Sequence, residues 1–272
     1  MKNNSIACQV HIPNTSHQGD GLDSTSKIKV VELSLEYLRY KNPDTYISLS
    51  GHGDKPSSKI LDLCDFVNWE NIKSHRTAAQ YDSVYPAVHQ CKKMGYKNIL
   101  KVRADGIYGI PNFADYCEGV LKKEKRDLLV TQMTANIDNK MGDCVMYGNS
   151  KLVDYLWDVN HKQHHWDGLV HIGTNFYNYY STGGEKWIDI IRKHCSFKNI
   201  STLKWMDLRY NFNELNSLGW DMVRDKLLND EFDLTDYYWG NKNGWHTFDK
   251  NNKMVYSIEP YYLEENTFYE NI

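Results

Sequence analysis

The chain has 272 residues, 41% of them hydrophobic and 25% charged, which excludes a disordered or fibrous protein and allows one substantial core. The formal net charge of −3 gives no general attraction for a nucleic-acid backbone, so no nucleic-acid partner is expected. The sequence has neither an N-terminal signal core nor an apolar segment long enough to span a bilayer, and we therefore expect a cytoplasmic protein.

In chain order, the first residues alternate between strand and helix patterns. Strands are predicted at 6–12, 45–50 and 65–69 from their apolar and β-branched residues. The first helix is predicted to begin at a cap, Ser24 or Ser26, and to run to about residue 40. A second helix is predicted at about 77–94, with Pro86 kinking or interrupting it.

The alternation continues to about residue 160. Strands are predicted at 98–102, 127–134 and 143–148, with helices at 113–125 and after Gly148. This order is typical of an α/β fold with a mostly parallel sheet flanked by helices. We expect residues 1–167 to form this domain and residues 168–272 to form an aromatic-rich, mainly helical C-terminal lobe packed on it.

The six cysteines are dispersed along the chain, and no Cys-x-x-Cys pair is present. This spacing argues against a zinc ribbon or a thioredoxin-type site. We expect all six thiols to be reduced and mostly buried in packing.

Ligands of an open α/β sheet bind at the carboxyl ends of its strands. Three loops follow predicted strands there, at residues 13–24, 51–58 and 103–111, and each contains at least one acid. None of them matches the Gly-x-Gly-x-x-Gly pattern of dinucleotide-binding folds or the Gly-x-x-x-x-Gly-Lys-Ser/Thr pattern of a P-loop.

The segment "ILKVRAD" ends in the pair Arg103 and Asp105, directly after a buried strand. A carboxylate at a strand end suits Mg²⁺, which takes one or two protein carboxylates and completes its shell with water and phosphates. The arginine has the planar fork that fits phosphate oxygens. The alternative is that the two side chains point to the same face of the strand and pair with each other.

Two blocks of the sequence resemble glycosyltransferases of the WavE lipopolysaccharide-synthesis type, which are GT-A-like nucleotide-sugar transferases. The strand "ILKVRAD" looks like the Lys-x-Arg-x-Asp strand of that family, and "GDCVMYGNSKLVDYLWD" is similar to its Ser-Asp-(aromatic)-x-x-(aromatic)-Gly block. The helix "AAQYDSVYPAVHQCKKMGY" is a looser match. Ala79 and Cys144 depart from the family pattern, which has an arginine and an aromatic residue there.

The resemblance implies roles for four residues. Asp105 would hold Mn²⁺ or Mg²⁺ and the sugar diphosphate, and Arg103 would contact phosphate or brace the loop. Asp143 would lie near the acceptor, where a carboxylate can act as general base on a hydroxyl or can hydrogen-bond the donor sugar. Gln80 would contact the donor. Independently of the resemblance, Asp54 at the end of the second strand can hydrogen-bond a ribose or base of the donor, although turn formation beside Gly53 and Pro56 is the favoured interpretation.

Two other features are weaker candidates. The segment "HKQHHWDGLVH" is rich in histidine, but its spacing is not that of a known zinc site, and a polar loop over the site is the simpler interpretation. Aromatic residues in loop-like segments can stack on sugar rings, whereas Trp157, on a helix, is expected in the core. The stacking candidates are Trp166, Tyr238, Trp239 and Trp245.

The sequence therefore predicts a metal-dependent glycosyltransferase that moves a sugar from a nucleotide-diphosphate donor to a carbohydrate hydroxyl, in surface polysaccharide or glycan synthesis. A nucleotidyltransferase on a similar sheet is one alternative, disfavoured because no glycine- and basic-rich phosphate loop is present. A non-catalytic carbohydrate-binding protein is the other.

Overall fold

A computed structural model describes residues 3–12, 22–70, 76–131, 141–142, 144–161, 168–198, 202–237, 245–248 and 254–257. These residues form eleven strands: β1 (Asn4–Ile12), β2 (Tyr46–Gly53), β3 (Phe66–Glu70), β4 (Asn98–Arg103), β5 (Gly106–Tyr108), β6 (Leu128–Thr131), β7 (Val145–Asn149), β8 (Cys195–Lys198), β9 (Trp205–Asp207), β10 (Trp245–Phe248) and β11 (Met254–Ser257). They also form nine α-helices: α1 (Ser24–Lys41), α2 (Ser58–Asp62), α3 (Arg76–Lys93), α4 (Phe113–Glu124), α5 (Ser150–Trp157), α6 (Gly168–Tyr180), α7 (Trp187–His194), α8 (Leu208–Ser217) and α9 (Trp220–Leu228).

Seven of the strands form one mixed sheet in the order β3-β2-β1-β4-β7-β6-β8. Strand β1 is parallel to both β2 and β4, β2 is parallel to β3, and β6 is parallel to β8. Strand β7 runs antiparallel to both of its neighbours. The predicted α/β fold with a mostly parallel sheet flanked by helices is confirmed, with one reversed strand.

Both faces of the sheet are covered, which explains the near-continuous apolar character of its central strands. In β1, Ile6 and Val10 belong to the core shared with α1 and α4, whereas Ala7 faces the core built with α3 and α5. Side chains alternate between the faces of a strand, so one short segment serves two cores. Trp157 is fully buried in the second core, as expected.

The predicted cap of the first helix was wrong. Asp23, rather than Ser24 or Ser26, is the N-cap of α1, and its side chain accepts a hydrogen bond of 2.7 Å from the backbone N–H of Ser26. The helix therefore begins at Ser24, one residue earlier than a cap at Ser24 would place its start and three residues earlier than a cap at Ser26 would, because Asp23 satisfies the Ser26 N–H.

Of the two predictions for Pro86, the interruption was wrong, since α3 runs as one helix through this residue, and the kink stays a prediction. Proline removes one helical hydrogen bond. Its neighbours Val84, Ala87 and Val88 are almost fully buried against the sheet, and this packing holds the helix together across the missing bond.

The C-terminal part of the chain is joined closely to the rest. Strand β8 pairs with β6 and completes the main sheet, and β9 pairs with β5 in a small antiparallel sheet. Helices α8 and α9 pack against α1 around a third core. Both sides of the predicted boundary at residues 167 and 168 thus share one sheet, and the two-domain division stays a prediction.

All six cysteines are free thiols, as predicted. Burial raises the pKa of Cys64 and Cys91 to about 12, so these two thiols are inert packing groups at neutral pH. Among the helices that the structure describes, none has both the length and the apolar character needed to cross a membrane.

Candidate functional site

The carboxyl ends of β1, β2, β3 and β4 meet at one edge of the sheet, because these strands are parallel. Strand β7 begins at the same edge, since its antiparallel pairing with β4 places Val145 opposite Val102. Ligands of open α/β sheets bind at this edge. Two of the predicted site residues, Asp54 and Asp105, follow β2 and β4 there.

Asp105 lies at the centre of a buried group of charges and is itself only 1% exposed. Arg103 donates two hydrogen bonds to it, from Nε to Oδ1 at 2.9 Å and from Nη2 to Oδ2 at 2.8 Å. Lys27 Nζ donates to Oδ2 at 2.9 Å, and Arg209 Nε lies 3.3 Å from the same oxygen. The pairing of Arg103 with Asp105, the alternative raised by the sequence, is present, together with two further cations.

Arg209 reaches this group from the C-terminal part of the chain. The pairing of β9 with β5 brings the start of α8 beside Asp105, and Leu208 N–H donates to the Asp105 carbonyl at 3.0 Å. Asp207, fully buried, caps α8 by accepting from Arg209 N–H at 2.9 Å, and it also accepts from Arg209 Nε at 3.0 Å. We call these five side chains, Lys27, Arg103, Asp105, Asp207 and Arg209, the β4-end cluster.

Within the β4-end cluster, the pKa values of Asp105 and Arg209 are shifted toward the ionised forms. Burial alone would raise the pKa of Asp105, but Arg103, Arg209 and Lys27 together lower it well below its usual range. Burial and nearby Arg103 act to lower the pKa of Arg209, and Asp105 and Asp207 outweigh them and raise it. Asp105 is therefore a carboxylate throughout the physiological pH range.

This arrangement does not fit a divalent cation at Asp105. Both carboxylate oxygens already accept hydrogen bonds from the chain's own cations, and a metal ion there would lie beside Lys27, Arg103 and Arg209. Within the described ranges, no group of three or more His, Cys, Asp or Glu side chains is placed to hold a metal. The Mn²⁺ or Mg²⁺ expected from the resemblance stays a prediction that this geometry does not support.

The end of β2 is built differently. His52 stacks on His11 of β1, with ring centroids 4.4 Å apart and an angle of 18° between the rings. Burial, reinforced by His11, lowers the pKa of His52 to about 4, although Asp82 acts in the opposite direction. His52 Nδ1 is buried and has no hydrogen-bond partner among the described residues. His52 is therefore a neutral ring at pH 7.

Between these two strand ends lies a polar position in the middle of β1. Gln9 pairs in register with Ser50 of β2 and with Arg103 of β4. Its Nε2 donates to Ser83 Oγ on α3 at 3.1 Å, whereas its Oε1 and Ser50 Oγ are buried without a partner among the described residues. Buried polar atoms are normally satisfied, so these two oxygens indicate a place for water or ligand atoms.

The remaining predicted donor residues are less well placed. Asp54 follows Gly53, whose φ of +98° brings the chain round so that Asp54 N–H donates to Ile12 O at 2.9 Å. This supports the turn role of Asp54. Gln80 lies on α3, where its carbonyl accepts from Ser83 Oγ at 3.0 Å.

Several predicted features fall outside the described residues. These are Asp143, the predicted catalytic residue, the side chains of the histidine-rich segment, the stacking candidates Trp166, Tyr238 and Trp239, and the side chain of Trp245, whose backbone belongs to β10. Their roles stay predictions.

Sequence reasoning missed Lys27, Asp207 and Arg209. Lys27 lies in the first turn of α1 and Arg209 in the first turn of α8, where the helix dipole disfavours a positive side chain. A basic residue just after an Asp cap is a detectable signal, present in "DSTSK" and "DLR". Gln9, within the apolar run "IACQVHI", carried a similar signal.

No protein-family model matches the sequence, and no curated protein matches it. The WavE-type identity and the lipopolysaccharide role therefore stay predictions.

Comparison with solved structures finds nucleotidyl- and sugar-transferases at low identity. A Bacillus anthracis protein provisionally named a glucose-1-phosphate thymidylyltransferase is 15% identical, with a TM-score of 0.46 over 84% of this chain and 99% of that chain. A protein from Desulfovibrio desulfuricans G20 provisionally named a nucleotide-diphospho-sugar transferase is 10% identical, with a TM-score of 0.43 over 86% and 100%. A cytidylyltransferase from Leptospira borgpetersenii is 11% identical, with a TM-score of 0.46 over 87% and 92%. Likenesses this distant assign no activity.

Proposed function

We propose that this protein is a glycosyltransferase that moves a sugar from a nucleotide-diphosphate donor to a carbohydrate hydroxyl. The observation that carries the proposal is the β4-end cluster, which gathers two arginines and a lysine at the ligand-binding edge of the sheet. A sugar nucleotide presents a diphosphate, and guanidinium groups are the side chains best shaped to bind its oxygens.

The two sequence blocks that resemble nucleotide-sugar transferases map to this edge. The first block is β4 with Asp105 after it, and the second contains β7, which starts opposite the end of β4. Blocks that are distant in sequence and adjacent in space favour a shared site.

Unpartnered polar atoms support the proposal for the uncharged part of the donor. Among the described residues, Gln9 Oε1, Ser50 Oγ and His52 Nδ1 lie without partners along neighbouring strands beside the cluster. A hydroxyl-rich sugar nucleotide, or the water that it displaces, can satisfy such atoms.

In the proposed reaction the acceptor hydroxyl oxygen attacks the anomeric carbon of the donor sugar. The bond from that carbon to the diphosphate oxygen breaks, and the nucleoside diphosphate leaves with the bonding electrons. Asp143 takes the proton from the hydroxyl as general base. Arg103 offsets the charge that builds up on the leaving diphosphate.

The test is to incubate the protein with a panel of nucleotide-sugars and carbohydrate acceptors and to measure nucleoside diphosphate release and glycoside formation. We expect turnover of one donor, and we expect Asp143→Asn to lower kcat about 10²–10⁴-fold while nucleotide binding persists. The matched control is Asp189→Asn, an exposed aspartate on α7, which should leave kcat unchanged.

Two results would overturn the proposal. Release of pyrophosphate from a nucleoside triphosphate and a sugar 1-phosphate would identify a nucleotidyltransferase. Glycan binding without binding or turnover of any nucleotide would identify a carbohydrate-binding protein.

A further inference from the structure

Both carboxylate oxygens of Asp105 are already occupied by contacts with basic side chains of the same chain. Its side chain is 1% exposed, and its two carboxylate oxygens receive four contacts from Lys27, Arg103 and Arg209, at 2.9, 2.9, 2.8 and 3.3 Å. Mg²⁺ binds oxygens at about 2.0–2.1 Å and demands near-octahedral geometry. A metal ion would have to replace at least one of these cations and remain next to the others.

The partly exposed members of the cluster are its arginines. The side chain of Arg103 is 20% exposed and that of Arg209 is 15% exposed, whereas Lys27 and Asp105 are each 1% exposed. A ligand arriving from solvent therefore meets guanidinium groups before it meets the carboxylate. A phosphate oxygen suits that surface, and a cation does not.

The helices add to the same preference. Lys27 lies in the first turn of the 18-residue α1 and Arg209 in the first turn of the 10-residue α8. The amino end of a helix carries about half a positive charge, which favours anions. The carboxylates of Asp23 and Asp207 already cap these two helix ends, and each helix turns the basic side chain of its first turn to Asp105.

We propose that Asp105 is an internal counter-ion that positions Arg103 and Arg209, and that these arginines bind the diphosphate of the donor without a divalent metal ion. The identity of the ligand as a nucleoside diphosphate rests on the proposed function. In this arrangement Asp105 is a positioning residue, and the two arginines do the work that a metal ion does in metal-dependent transferases.

The decisive measurement uses the wild-type protein. Binding of ADP, GDP, CDP, UDP and dTDP is measured by calorimetry and by thermal unfolding, once in EDTA and once with Mn²⁺ or Mg²⁺. A ligand that binds only the folded state raises the unfolding temperature. We expect one of the five to bind with the same affinity in both buffers, and its affinity to fall as salt is added.

Variants then assign the contact to residues. Arg103→Lys keeps the charge and loses the bidentate fork, and Arg209→Met removes the charge; each should weaken that nucleotide about tenfold or more in EDTA. Arg224→Met is the matched control, because Arg224 pairs with Glu36 away from this edge and is 36% exposed. Circular dichroism confirms that each variant is folded before binding is compared.

The outcomes separate this inference from the proposed function. Nucleotide binding that requires Mn²⁺ or Mg²⁺ and disappears in EDTA would overturn the metal-free site and leave a glycosyltransferase standing. Metal-free binding that is unaffected in folded Arg103→Lys and Arg209→Met would also overturn it. Failure of every nucleotide and nucleotide-sugar to bind in either buffer would overturn both.

Discussion

Two strand ends at the same edge of this sheet, separated by β1, handle a buried ionisable group in opposite ways. At the end of β4, Asp105 stays charged because Arg103 and Lys27 donate hydrogen bonds to it and Arg209 lies beside it. At the end of β2, His52 stays neutral, stacked on a second histidine with Nδ1 unpartnered among the described residues.

The two groups differ in how they can avoid an unpaired buried charge. A carboxylate loses much of its solvation free energy on burial, so it remains ionised only when neighbouring cations replace the lost water. An imidazole can shed its proton instead, so it needs no counter-ion. One edge of the sheet therefore offers a charged end suited to an anion and an uncharged, planar end suited to a ring or a hydroxyl.

The largest expected effect comes from removing the charge at the β4 end. Asp105→Asn leaves Lys27, Arg103 and Arg209 around a neutral amide. Removing one partner of a buried ion group costs about 3–5 kcal/mol, because uncompensated charge stays buried. Urea unfolding at pH 7 measures the change, and a loss below about 1 kcal/mol would show that the cluster is solvated rather than buried.

Acid titration gives a second view of the same residue. The pKa of Asp105 is lowered in the folded state, so its stabilisation is present above the unfolded pKa, near 3.9, and is lost as pH falls through the folded pKa. Below about pH 4, wild-type stability should therefore fall more steeply than that of Asp105→Asn. Parallel curves would contradict the lowered pKa.

The next effect concerns His52 and appears in a different pH window. With a folded pKa of about 4 against an ordinary value of 6.5, the unfolded chain binds a proton in this interval that the folded chain does not. The free energy of unfolding of the wild type should therefore fall as pH drops from 6.5 to 4. The expected loss is about 1–3 kcal/mol, because each pH unit between the two pKa values contributes at most about 1.4 kcal/mol and the part-exposed ring is screened by solvent.

The variant His52→Phe keeps a ring against His11 and removes the titration. It should be as stable as wild type at pH 7, and urea unfolding should show a smaller change in its stability between pH 6.5 and 4. The control is the same substitution at His89, which is half exposed on α3. An unchanged slope in His52→Phe would assign the pH dependence to another group.

The sequence predicted the sheet well because buried strands and amphipathic helices leave local patterns. It predicted β4, α4 and the start of α1 to within a few residues. The reversal of β7 left no such trace, since the direction of a strand depends on the path of the chain before it. Strand β8 was missed for a related reason: four residues in an aromatic-rich region carry too little periodicity.

The site was predicted only where its residues follow a strand directly. Arg103 and Asp105 were found because they end β4, and their pairing was predicted as an alternative. Arg209 approaches through the pairing of β9 with β5, a contact between segments about a hundred residues apart, which no local pattern encodes.

The smallest effect tests whether burial, rather than pairing itself, distinguishes the β4 end. Arg224 donates to Glu36 through two nitrogens, as Arg103 does to Asp105, but its side chain is 36% exposed and that of Glu36 is 17% exposed. Solvent screens such a pair, so Arg224→Met should cost only about 0.2–1 kcal/mol, and high salt should shrink the difference further. Urea unfolding in low and high salt checks both expectations. A loss as large as that of Asp105→Asn would mean that two-point arginine pairing stabilises this fold wherever it occurs, and the contrast between strand ends would then reflect residue type alone.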